Sequence, residues 1–98
     1  MVARTSTWSG STEALESWCE HCQAQVSGFV AGLPGNAGGM FFIDREAGRA
    51  LTLTLWDSEE AAAQTDKFAD QSRASTVEAT GVDLLERGAY TVVGEIPG

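Results

Sequence analysis

The chain has 98 residues, 43% hydrophobic and 20% charged, with a formal net charge of −8. That length suits a single domain over residues 1–98, and the composition is that of a globular chain. Only six residues are basic (Arg4, Arg45, Arg49, Lys67, Arg73, Arg87), with no run of them to neutralise phosphates, so the charge speaks against a nucleic-acid or anionic-membrane partner.

The first segment, "VARTSTW" (Val2–Trp8), is rich in threonine and stops before Gly10, which predicts a strand. "STEALESWCEHCQAQVSGF" follows with Leu15, Trp18, Cys19, Cys22, Val26 and Phe29 at helical spacing, an apolar stripe capped by Ser11 or Thr12 and ended by Gly28 or Gly32. "GLPGNAGG" (Gly32–Gly39) reads as a loop. "GMFFID" and "RALTLTLW", joined by "REAG", predict a β-hairpin with Gly48 at a positive φ. At Asp57-Ser58-Glu59-Glu60 the two-residue period gives way to a helix start, in which a short polar cap and two acids suit the positive end of the helix dipole. The second helix is expected from about Ser58 toward Gln71, with "SRASTVEATG" as a further short helical piece stopping at Gly81 and a last strand around Ala89–Val93.

The order strand, helix, strand, strand, helix, strand predicts an α+β, ferredoxin-like βαββαβ fold: a four-stranded antiparallel sheet with both helices on one face. Phe41 and Ile43 lie on one side of the second strand and Met40 and Phe42 on the other; Leu51, Leu53 and Leu55 oppose Thr52, Thr54 and Trp56 on the third. Both sheet faces thus carry apolar residues while the helices cover only one. The expected cover for the other is a second copy, a homodimer formed through the sheet face. Which face meets the helices is open at this point.

Three stretches resemble the antibiotic biosynthesis monooxygenase-like branch of the dimeric α/β-barrel superfamily: "GRALTLTLWDSEEAAAQ", "ATGVDLLERGAYTVV" and "SGFVAGLPGNAGGMFFID". The resemblance covers nearly the whole chain. It implies a dimeric α/β barrel with a pocket between the sheet and the helices of one subunit. It also implies a choice among cofactor-free oxygenation of aromatic polyketides, haem degradation, and roles without known chemistry. The haem-degrading branch uses an Asn on the first strand, a Trp in the second helix and a His after it. Here "VARTSTW" has no Asn, "SEEAAAQTDKFADQ" has no Trp, and the only histidine is His21. Haem degradation is disfavoured, since no imidazole is placed to ligate iron.

The residues themselves offer few reactive groups. "CEHC" (Cys19–Cys22) lies two turns into a helix, away from the N-terminus that would activate a thiol, and two thiols with one imidazole fall short of a closed zinc site; it reads as core. No Ser-His-Asp set can be built, and "GLPGNAGG" lacks the Lys-Ser/Thr of a phosphate loop. Trp18 reads as core, and Trp8 as a cover for the barrel rim or dimer. Trp56 packs beneath the second helix or in the subunit interface, or it lines a site with the hydroxyls of Thr52 and Thr54. Arg4, a charge inside a small sheet, either pairs with a surface acid or holds an acidic or enolate-like oxygen of a ligand. The candidate pocket residues are therefore Trp56, Thr54, Phe42, Arg4, Tyr90 and Asn36, with no catalytic residue assigned.

Two readings follow. One is a cofactor-independent monooxygenase-like protein acting on a small aromatic or quinol compound, with no metal and no cofactor, in which the protein deprotonates, orients and excludes water. The other is a non-catalytic barrel module that binds a small apolar ligand or is filled by its own side chains. The usual ligand pocket is on the order of 300–1,000 Å³, and a sheet–helix interface with nothing of that size would rule out the first. The N-terminus lacks the apolar core of a signal peptide, and no stretch approaches the ~20 apolar residues of a membrane span. No membrane partner and a cytoplasmic location are the expectation.

Overall fold

The change of period after the third strand is a helix start. In the computed structural model, which describes residues 1–98, Ser58 adopts an extended backbone and its Oγ accepts from the Ala61 N–H at 3.1 Å. Ser11 caps the first helix in the same way, with Ala14 N–H at 3.2 Å. The elements are β1 (Val2–Ser9), α1 (Thr12–His21), a π-helical turn (Cys22–Val26), α2 (Ser27–Ala31), β2 (Asn36–Asp44), β3 (Arg49–Trp56), α3 (Glu59–Thr80) and β4 (Asp83–Thr91). The four strands form one antiparallel sheet in the order β2-β3-β1-β4. This is the ferredoxin-like βαββαβ fold. No helix is long and apolar enough to cross a membrane.

The register decides which face is inner. Val2, Arg4, Ser6 and Trp8 of β1 pair with Trp56, Thr54, Thr52 and Ala50 of β3. Trp8 and Ala50 belong to the main core with Leu15, Trp18, Cys22, Val26 and Val82, so the threonine side of β3 faces the helices and Leu51, Leu53 and Leu55 face away. Trp18 and Leu15, each 1% exposed, anchor that core, and Phe41 meets Trp18 edge-on at 6.1 Å between ring centroids. Burying each large side chain is worth about 1.5–3 kcal/mol. A second small cluster joins Val2, Trp56 and Ala62.

Five sequence expectations change. Helix three is one continuous run of 22 residues to Thr80, not a helix to Gln71 plus a short piece; Gly81 ends it in the left-handed region at φ 81°. The last strand begins at Asp83 and ends at Thr91 instead of running over Ala89–Val93, so Val92 and Val93 lie beyond it. The predicted loop Gly32–Gly39 is shorter, because β2 already starts at Asn36 through a register shift against β3. Trp8 is buried in the core and covers no rim. The apolar stripe of the first helical segment also changes phase. The π turn takes up one extra residue, so Val30 reaches the core and Phe29 is left 42% exposed.

Candidate functional site

The space between sheet and helices has an unusual floor. Arg4 and Ser6 on β1 lie beside Thr54 and Thr52 on β3, four polar side chains on the covered face of a small sheet. Two indoles hold the threonines: Trp8 Nε1 donates to Thr52 Oγ1 at 3.0 Å, and Trp56 Nε1 donates to Thr54 Oγ1 at 3.1 Å. The Arg4 guanidinium donates to Glu59 Oε1 at 2.8 Å, at the start of α3.

The roof is α3, and its inner side is small. Thr65, Thr76 and Thr80 return their hydroxyls to backbone carbonyls one turn back, so they ask nothing of the sheet. Ala69 and Ser72 fill little space between them. The result is a cleft with a narrow waist of about 40 Å³ between Ser6, Thr52, Thr54, Cys22, Ser72 and Thr76. That volume holds about one water molecule.

Two larger hollows share residues with the waist. Arg4 and Arg73 also line a polar mouth of about 540 Å³, completed by Thr5, Asp66, Asp70 and Arg87. Val26, Val30 and Thr54 also line a smaller, more apolar mouth of about 240 Å³ with Asn36, Met40 and Phe41. At the polar mouth, Asp70 Oδ1 accepts from Arg73 Nη2 at 2.6 Å and from Arg87 Nη1 at 2.7 Å. The hydrogen bond from Arg73, with the positive charges of Arg73 and Arg87, holds the Asp70 carboxyl below its ordinary range.

The six candidate residues do not converge. Arg4 and Thr54 line the cleft, and Asn36 stands at its apolar mouth, where its side chain also accepts from Gly38 N–H and donates to Leu55 O. Trp56 packs in the second cluster under α3 and lines none of the cavities; its contribution is to hold Thr54. Phe42 and Tyr90 correct the expectation. In the observed register Phe42 pairs with Leu51 and Tyr90 with Ala3, which puts both on the face away from the helices, outside any sheet–helix pocket. Phe42 there lines an open hollow of about 650 Å³ with Thr7, Asp44, Arg49, Leu51 and Leu85.

Sequence reasoning missed Asp66, Asp70, Arg73 and Arg87. The Asp70–Arg73 spacing of three on a helix was visible; its meeting with Arg87 on another element was not. No group of three or more His, Cys, Asp or Glu side chains is placed to hold a metal ion.

Cys22, on the wall of the waist, is the thiol nearest the floor. Burial pushes it up to about 12, with Cys19 adding to the shift. Below the unfolded thiol value of about 8.5, both states keep the proton and the group leaves stability unchanged. Above it the unfolded chain ionises and the folded one does not, so stability falls with rising pH until the folded thiol ionises near 12. Urea midpoints followed from about pH 7 to about pH 10 should fall less steeply for Cys22→Ala than for the parent, and equal slopes would place Cys22 in a solvated site.

No sequence-family model matches the chain, and no curated protein matches it. Solved structures do. A Deinococcus radiodurans protein, provisionally named an antibiotic biosynthesis monooxygenase, superposes with a TM-score of 0.74 at 19% identity, covering 99% of this chain and 97% of that one. A variant of SnoaB, a cofactor-independent oxygenase from Streptomyces nogalater, gives 0.71 at 16% identity over 99% and 97%. A monooxygenase of Streptomyces coelicolor in complex with nanaomycin D gives 0.72 at 15% identity over 99% and 90%. A dimeric ferredoxin-like protein from an uncultured marine organism gives 0.70 at 13% identity. Across nearly its whole length, then, this chain has the fold that these oxygenases and the dimeric ferredoxin-like protein share.

Proposed function

We propose that the protein is a cofactor-independent monooxygenase-like enzyme that takes a small aromatic or quinol compound at the sheet–helix cleft, entering by the polar mouth. The observation that carries this reading is the floor itself. Arg4, Ser6, Thr52 and Thr54 occupy a helix-covered sheet face that a structural core would fill with branched apolar side chains. The oxygenase descriptions of structures sharing this fold support the same reading.

In the proposed reaction the substrate supplies the electrons. A phenol or quinol loses a proton to Asp66, the carboxylate at the mouth with no protein cation bonded to it. Arg4, beside Thr54, holds the resulting oxyanion. The ring C–H ortho or para to that oxyanion is replaced by a C–O bond from O₂; the substrate gives up this hydrogen and the phenolic one, and four electrons in all. The ring carbon ends as a carbonyl, and the second oxygen leaves as one water. The aromatic ring sits in the mouth, since a waist of about 40 Å³ cannot admit it.

Oxygen uptake over a panel of aromatic hydroquinones tests this. Arg4→Gln is expected to lower kcat about 100-fold, the scale of one oxyanion donor, with Asp66→Asn lowering it to a similar degree. Parent rates in both variants would remove the two residues from the reaction. The narrow waist favours one further reading, a non-catalytic module that binds such a ring at the mouth. In that case the hydroquinone binds and oxygen uptake stays at the protein-free rate.

We also propose self-association through the open sheet face. Leu51, Leu53 and Leu55 of β3 form a row there with Met40 and Phe42 of β2, and Met40 and Phe42 are 56% and 43% exposed. A contiguous apolar surface of this kind on a small domain calls for a partner, and an isologous contact with a second copy covers it on both chains at once. The dimeric protein of the same fold supports this arrangement.

A further inference from the structure

The polar mouth already contains a bound carboxylate, and it is the protein's own. Asp70 Oδ1 sits between two guanidiniums, Arg73 one turn along α3 and Arg87 on β4. With Arg4, these are three of the six basic residues of a chain whose net charge is −8, brought to one mouth from β1, α3 and β4. General basicity does not explain the concentration.

Two properties separate this arrangement from an ordinary surface clip. First, each guanidinium has five N–H donors, and Arg73 and Arg87 each give one to a protein acceptor. Second, the Arg73 side chain is only 19% exposed and lines both the mouth and the waist, while Asp70 is 55% exposed. The Asp70–Arg87 pair, 55% and 58% exposed, contributes little to stability and opens readily.

Resting on the proposed cleft ligand, we propose that the ligand carries a carboxylate, which displaces Asp70 and takes its place between Arg73 and Arg87. Asp70 is then an internal stand-in that keeps the two cations apart from weaker anions. A monoanion suits the mouth better than a phosphate dianion, because Asp66 and the displaced Asp70 both remain at the rim. The aromatic body of the ligand lies toward Thr5 and Ala89, with its reactive end at Arg4.

The test compares 2-naphthoate with its neutral analogue 2-naphthalenemethanol, titrated into the parent chain at low salt and followed by amide NMR shifts of Thr5, Gly88 and Ala89. The expected result is about tenfold tighter binding of the naphthoate, the size of a charge-assisted hydrogen bond. Arg87→Gln, at an exposed position that leaves the core intact, should remove that preference. Asp70→Asn should strengthen it several-fold, because the two cations lose their internal partner. A clip with only a structural role predicts the opposite for Asp70→Asn: lower stability and no gain in affinity. Equal binding of the two probes, or an Asp70→Asn chain with an unchanged preference, would overturn the carboxylate assignment and leave the cleft reading standing. Shifts from neither probe at these amides would remove both.

Discussion

Trp18→Ala is expected to cost about 3–5 kcal/mol, the range for removing a buried aromatic side chain. For a domain with a typical stability of about 5–15 kcal/mol, that is a large share. Trp18 is 1% exposed, lies in the main core with Leu15, Cys22 and Val82, and meets Phe41 edge-on. Its Nε1 is the one buried side-chain polar atom without a hydrogen-bond partner. An orphan donor of that kind carries a penalty of about 1–3 kcal/mol. Trp18→Phe keeps a ring against Phe41 and deletes the orphan, so the relief offsets most of the lost volume, and a change within about 1 kcal/mol of the parent is expected. Urea unfolding of the two variants checks the contrast. If Trp18→Phe were as damaging as Trp18→Ala, the indole N–H would have to be satisfied, and its hydrogen bond would carry the contribution assigned here to ring packing.

Leu53→Lys should turn the proposed dimer into a monomer without unfolding it. Leu53 sits on the open face, with Met40 opposite it on β2 and Thr5 opposite it on β1. It takes no part in either core cluster, so the fold does not depend on it. An ammonium left without a partner inside an apolar contact costs about 3–5 kcal/mol, and a two-fold contact incurs that cost twice. Native mass spectrometry of parent and variant at matched concentration reads the outcome directly. A Leu53→Lys dimer as strong as the parent would move the contact to another surface, and a monomeric parent would withdraw the proposal.

Much of the fold is legible from local chemistry. Short polar caps are legible at Ser11 or Thr12 and at Asp57–Ser58, and the fold uses Ser11 and Ser58; Gly48 and Gly81 both take the positive φ that glycine allows. The hairpin of β2 and β3 follows from two strand-like runs and the short Gly48 turn that joins them. Other features need the assembled chain. The inner face of β3 could not be chosen in advance, because leucines and a threonine–tryptophan row are both acceptable under helices. The π turn is hidden because a single inserted residue shows only in which of Phe29 and Val30 turns inward. Of the site, Arg4 and Thr54 were legible as a charge and a hydroxyl on strands, but Phe42 and Tyr90 depended on the unresolved choice of face. Arg87 meets Asp70 across 17 residues, a contact that only the packing of α3 against β4 creates.

The bond from Trp8 to Thr52 has a bearing on how the sheet finds its alignment. If β3 slipped by one position against β1, its leucines would turn toward the helices, and burial of oil alone would not object. The objection comes from the indole. Trp8 now stands opposite Ala50, whose small side chain makes room for the ring, and reaches diagonally to Thr52. After a slip it would face Leu51 or Arg49 and lose its acceptor, leaving a buried donor stranded. One tryptophan and one hydroxyl thus act as a checksum on strand pairing, rejecting a misaligned sheet that greasiness would have accepted.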